Sequence, residues 1–192
     1  MIRDLFILFF GAAVVNNFVL YRFLGICPFL GVSKKTESAA GMGAAVTFVM
    51  TLANLATWLV YNYVLEPNGL LFLQIVSYIL IIATLVQLIE MYMKKYQQVL
   101  FKAFGIYLPL ITTNCAILGL TLINTIDGND LISTVVFALG GGAGFTLALL
   151  IMSGIRERLE LADLPKPLEG APIALITAGI LAMAFGGFGG ML

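Results

Sequence analysis

The chain has 192 residues, of which 61% are hydrophobic and 10% charged, with no net charge, no histidine and two cysteines. Soluble domains carry about 25% charged residues, so this is the composition of an integral membrane protein with nothing left over for a separate soluble domain. Zero net charge leaves no basic surface for nucleic acid, and the missing histidines exclude His-ligated haem, His-ligated zinc and His-based catalysis.

A bilayer core of roughly 30 Å needs about 20 apolar residues in a helix. Six stretches meet that length, at 4–25, 39–63, 70–92, 103–124, 131–154 and 171–191. The first begins in "MIRDLFILFF", where Arg3 is offset by Asp4 and the apolar run continues, so it does not read as a signal peptide. The connections "GVSKKTES", "LEPNG", "MKKYQQVLFK", "INTIDGND" and "RERLELADLPKPLEG" are polar and rich in turn residues. Connections one, three and five carry Lys34, Lys35, Lys94, Lys95, Lys102, Arg156, Arg158 and Lys166, eight of the ten basic residues. Connections two and four carry Glu66, Asp127 and Asp130 and no basic residue. The positive-inside rule therefore expects the odd loops to be cytoplasmic and both termini outside.

Spans one and four are interrupted by polar residues. Asn16 and Asn17 fall about 18 Å into the first span at 1.5 Å per residue, and Asn114 lies equally deep from the opposite face. Pro109, Thr112 and Thr113 add to the second interruption. An amide in hydrocarbon needs a partner, so these positions are expected to line a site at the midplane. Arg22 is expected to snorkel to the cytoplasmic head groups. Arg156, Glu157 and Arg158 are expected to cap a span and meet lipid heads or a cytoplasmic partner. The runs "GGGAG" and "FGGFGG" suit close helix packing.

The halves also resemble each other. "GAAVTF" at Gly43 and "GAGFTL" at Gly142 lie 99 positions apart, and Asn17 and Asn114 lie 97 apart. "CPFLG" and "CAILG" offer a competing register, 88 apart. Three spans per repeat force the second copy to insert upside down, the architecture of many membrane carriers.

Cys27 would lie near the cytoplasmic edge if span one were a straight helix. Pro28, flanked by Gly25 and Gly31, suits a re-entrant turn that brings it towards Cys115. Two cysteines can be small hydrophobes, a disulfide, or part of a metal site. An iron–sulfur cluster usually needs four, so this chain alone offers half of one.

"NNFVLYRFLGICPFLGVSKK", "LPLITTNCAILG", "GIRERLELADLPKPLEG" and "ITAGILAMAFGGFGG" resemble the A subunit of the Rnf electron-transport complexes, in order and over nearly the whole chain. The near relative is the E subunit of sodium-pumping NADH:quinone oxidoreductases. The resemblance implies an ion-translocating ferredoxin:NAD⁺ oxidoreductase component that relays electrons across a bacterial or archaeal cytoplasmic membrane. It implies a [2Fe–2S] cluster shared with the paralogous Rnf E subunit. Each chain would give two cysteines, here Cys27 and Cys115. Asn17, Thr113 and Asn114 would surround that cluster. The B, C, D and G subunits would be the further partners, and flavins would reside only in those other components. The fold expected is one all-α transmembrane domain, residues 1–192. It has six helices in two inverted three-helix repeats, about 1–96 and 97–192, with spans one and four broken near the midplane. The rival readings are the equivalent subunit of a Na⁺-translocating NADH:quinone oxidoreductase and a stand-alone inverted-repeat carrier for a small solute or ion, without iron.

Overall fold

In a computed structural model the described residues are 2–96, 108–162, 165 and 168–187. They form helices α1 (Ile2–Phe10), α2 (Ile26–Val32), α3 (Thr36–Val60), α4 (Gln74–Tyr96), α5 (Leu108–Thr112), α6 (Cys115–Ile126), α7 (Leu131–Leu159) and α8 (Ala171–Gly186). No strand occurs among them. Among the described residues four helical stretches are long and apolar enough to cross a bilayer: Thr36–Asn68, Leu71–Tyr92, Pro109–Ile126 and Leu131–Leu159. The chain is a multi-pass membrane protein. The expected span at 103–124 and the last one at 171–191 each run partly outside the described residues, as do Lys102 and Lys166.

The first expected span is not one helix. α1 passes into a π-type turn, Gly11–Val15, and helical structure stops at Asn16, whose N–H reaches back to the Gly11 carbonyl at 2.7 Å. The chain then runs irregularly to Gly25 before α2 begins. The second expected span is longer than the reading of 39–63, because a π turn (Tyr61–Leu65) and a last turn (Glu66–Asn68) extend α3.

α3 and α7 form the centre. α3 buries Ala39, Met42, Val46, Val49, Met50 and Ala53, a stripe at three- and four-residue spacing, and packs against α7, α6 and α4. α7 buries residues on several sides, among them Phe137, Ala138, Phe145, Ala148, Leu149 and Met152, because other elements surround it. Among its described side chains α4 buries Tyr78, Ile82 and Val86, while Val76, Ile79, Leu80 and Leu88 stay exposed. Lipid tails are as apolar as leucine, so close packing rather than hydrophobic transfer must hold such helices together.

The "GGGAG" run provides that packing. A Cβ at Gly144 would lie 2.5 Å from the Ala13 carbonyl oxygen, and one at Gly140 would lie 2.7 Å from that of Phe9. The backbone of span one therefore lies directly against α7. Across the α3–α7 seam the contact is reciprocal: Gly43 faces Thr146 and Gly142 faces Thr47. The two threonine hydroxyls approach to 3.4 Å, and each also donates to the carbonyl of the glycine four residues before it. "FGGFGG" differs: nothing lies within 4 Å of a Cβ at Gly186, and 188–190 are outside the described residues.

Replacing Gly144 by alanine should lower stability by about 1–3 kcal/mol, since backbone must move to admit the methyl. Gly154→Ala, on the same helix with open space around it, should cost nothing. Thermal unfolding in detergent reads the contrast, and equal behaviour of the two variants would contradict the packing described.

Candidate functional site

The two interruptions solve the same problem, that a helix ending inside a bilayer leaves backbone groups with no water to bond. At the first, Asn17 is fully buried and uses all of its side chain. Its Oδ1 accepts from the N–H groups of Val19 and Leu20 at 3.0 and 3.2 Å. Its Nδ2 donates to the carbonyls of Ala13 and Gly144 at 3.2 and 2.8 Å. One side chain thus closes the end of one turn, starts the next and ties both to α7.

At the second interruption Asn114 is the N-cap of α6, its Oδ1 accepting from the Ala116 N–H at 3.0 Å. Its Nδ2 is buried and has no hydrogen-bond partner. Thr113 donates its hydroxyl to the Pro109 carbonyl at 2.9 Å, so it closes the last turn of α5. The break falls at Thr113 and Asn114, after Pro109, whose carbonyl accepts from both the N–H and the hydroxyl of Thr113.

These interruptions interlock. The Gly25 N–H donates to Cys115 Sγ at 2.9 Å. Gly25 has φ +80°, and a Cβ there would press on Phe145, Ala116 and the Asn114 side chain at 2.9–3.1 Å. Leu24 fills the space over Gly119, and Gly31 faces Leu110. "LGICPFLG" is thereby seated on "LPLITTNCAILG". Phe23, just before this seat, holds φ 57°, a conformation that non-glycine residues adopt only when their surroundings impose it.

Cys115 opens α6, and Cys27 lies in the first turn of α2, two residues past the glycine that bonds Cys115. Both thiols are free and exposed rather than packed as small hydrophobes. Cys115 thus stands at the first turn of a helix, where backbone N–H groups are not used within the helix. Among the described residues no group of three or more His, Cys, Asp or Glu side chains converges as a metal site would require. Two thiols meet half the needs of a four-thiolate cluster, and the described residues supply no third ligand beside them.

Arg22 lies elsewhere than expected. It lines a cavity with Ile7, Asn16, Asp127 and Phe137, towards the end of the molecule that carries the acidic 127–130 turn. A straight helix would have carried it on to the lysine-bearing end. Once helical structure stops at Asn16, the chain no longer advances 1.5 Å per residue along the axis. Nothing in the sequence marks Gly25 as a donor to the other cysteine. Its position two residues ahead of the Cys-Pro pair is the only signal.

The family model described as "Rnf-Nqr subunit, membrane protein" matches residues 5–192. The chain belongs to the Rnf–Nqr family. It is 54% identical, over 99% of its length and 98% of the relative's, to the A subunit of the ion-translocating oxidoreductase complex of Syntrophotalea carbinolica. It is 58% identical, over 94% of both chains, to the A subunit of the Na⁺-translocating ferredoxin:NAD⁺ oxidoreductase complex of Acetobacterium woodii. The A subunit of the ion-translocating oxidoreductase complex of Photorhabdus laumondii is 50% identical over 98% of both chains.

The two asparagines should differ in weight. Asn17→Ala strands two buried N–H groups and two carbonyls and should cost about 3 kcal/mol or more. Asn114→Ala loses one cap and should cost about 1 kcal/mol. Denaturant titration of the reconstituted protein measures both, and an equal or reversed order would contradict the roles assigned.

Proposed function

We propose that this chain is the membrane-embedded A subunit of an ion-translocating ferredoxin:NAD⁺ oxidoreductase complex. In this reading Cys27 and Cys115 hold one side of an intramembrane [2Fe–2S] cluster. The observation that carries it is the Gly25 N–H bond to Cys115 Sγ, which joins the two interrupted spans so that both exposed thiols belong to one locality. The relatives named above, at 50–58% identity, supply the complex and its reaction.

The cluster, when bound, takes up and releases one electron at a time. The chain's own residues set the conditions for that. Cys115 meets the positive end of α6, and the Gly25 amide offers its sulfur a hydrogen bond; both favour the more negative, reduced state. Leu24, Phe29 and Phe145 pack beneath this locality and exclude water from its inner side. Asn17 and Asn114 keep the interrupted backbone in place, and Asn114 brings an uncommitted amide next to Cys115. Thr113 bonds within its own turn and contributes to the shape of the break alone.

The other two thiolates come from a partner, and the paralogous Rnf E subunit is the one whose chemistry fits. The B, C, D and G subunits complete the assembly and carry the flavin and ferredoxin chemistry. The six spans form two inverted repeats, with the odd loops in the bacterial cytoplasm and both termini outside. The reciprocal contact of Gly43 with Thr146 and Gly142 with Thr47 supports the 99-residue register. The Oδ1 caps of Asn17 and Asn114, each serving the N–H two residues on, also support a repeat, at a spacing of 97. In the 99-residue register Ala45 corresponds to Gly144, the residue whose carbonyl takes the Asn17 amide.

Purified with its partner subunits, the reduced complex should give a [2Fe–2S] EPR signal that disappears in both Cys27→Ser and Cys115→Ser, with a matching loss of iron. Iron and spectra unchanged in both variants would overturn the assignment.

A further inference from the structure

α2 carries Cys27 but has only seven residues, from Ile26 to Val32. A helix so short does not persist by itself, and its last carbonyls have no intrahelical partner. Pro28, Phe29 and Val32 anchor one face by burial. The polar end of α2 is held from α7, far away in sequence. Arg156 Nη1 donates to the Leu30 carbonyl at 2.7 Å and to Ser33 Oγ at 2.9 Å. Ser33 is fully buried, so this hydroxyl has no water to turn to.

The next residue acts on the next helix. Glu157 Oε1 accepts from both the N–H and the hydroxyl of Thr36, each at 2.8 Å, at the first turn of α3. Ser153, one turn earlier and buried, donates to Thr36 Oγ1 at 3.4 Å. Adjacent residues on a helix point about 100° apart. That lets a cation close the C-terminal end of α2 while its anionic neighbour closes the N-terminal end of α3. Each charge meets the helix end that favours it. The pair thus fixes the joint Ser33–Lys35 from both sides.

Cys115 has its own support, the Asn114 cap and the Gly25 bond. Among the described residues Cys27 has no support of that kind, and any slip of α2 along its axis moves Cys27 relative to Cys115. We propose that Arg156, seconded by Glu157, is a positioning residue for Cys27: its bonds to Leu30 and Ser33 set the placement of α2 and hence the spacing of the two thiols. The inference rests on the cluster reading for its consequence on the electron carrier, but its structural half stands without iron.

The test uses the intact complex and two readouts. Hydrogen exchange should quicken roughly tenfold to hundredfold in peptides spanning 26–33 in Arg156→Gln, the loss expected for a hydrogen bond from a charged group. Peptides from α6 should keep their wild-type rates. The Cys27-dependent EPR signal should change in g-values and midpoint potential, and Arg156→Lys, which keeps a charged donor, should restore both readouts in large part. Arg158→Gln, whose side chain is exposed two residues further on, should change neither. Exchange that is unchanged in 26–33, or raised equally in α6, overturns the proposal. If Arg156→Gln does not assemble, Ser33→Ala removes one acceptor and leaves Arg156 in place. It should quicken exchange in the same peptides, and no change there overturns the proposal. A wild-type complex without any Cys27-dependent signal would instead sink the cluster reading, and the exchange arm would still decide the role of Arg156.

Discussion

Polar backbone inside a bilayer has to be satisfied by the protein itself, and most of this structure follows from that constraint. Two spans stop being helical part-way, which exposes N–H and carbonyl groups where no water can serve them. Asn17 answers with four hydrogen bonds from one side chain. One of those reaches the Gly144 carbonyl, which is accessible only because position 144 has no side chain. The glycine-rich face of α7 is therefore more than a packing convenience. It lets an irregular backbone approach close enough for its polar groups to be paired.

The same logic explains why the cysteines lie where they do. Continuous helices would bury a thiol or turn it to lipid, with its neighbouring amides engaged in the helix. An interruption frees an N–H for a sulfur, as Gly25 does for Cys115. It also starts a new helix whose first residue is the cysteine. The strain at Phe23 and the unpaired Asn114 amide are the local costs, and both fall within or beside the two interruptions. For the cluster proposed above, such fixed dipoles would tune the potential, because hydrogen bonds to sulfur do so.

Much of this was legible in the sequence. Composition pointed to the membrane, and Asn17 and Asn114 marked the interruptions because amides in apolar runs are costly. The glycine run marked the α7 seam, and the matched "GAAVTF" and "GAGFTL" segments are the ones that meet there. What stayed hidden was direction. A straight helix would put Arg22 at the lysine-bearing end, whereas the irregular chain after Asn16 leaves it lining a cavity that Asp127 also lines. The second interruption falls at Thr113 and Asn114, where the sequence places its polar cluster, just after Pro109. The Arg156–Glu157 clasp spans more than 100 residues in sequence, 126 in the case of Arg156 and Leu30, and no local pattern signals such a pairing.

The central claim is that both interrupted spans converge on one locality where Cys27 and Cys115 face a shared group. A high-resolution density map of the intact complex in a lipid environment tests it most directly. The account predicts compact density continuous with both sulfurs of this chain and with two from its neighbour, at the depth of the two interruptions. Sulfurs that face different neighbours, or an empty gap between them in an active complex, would contradict it.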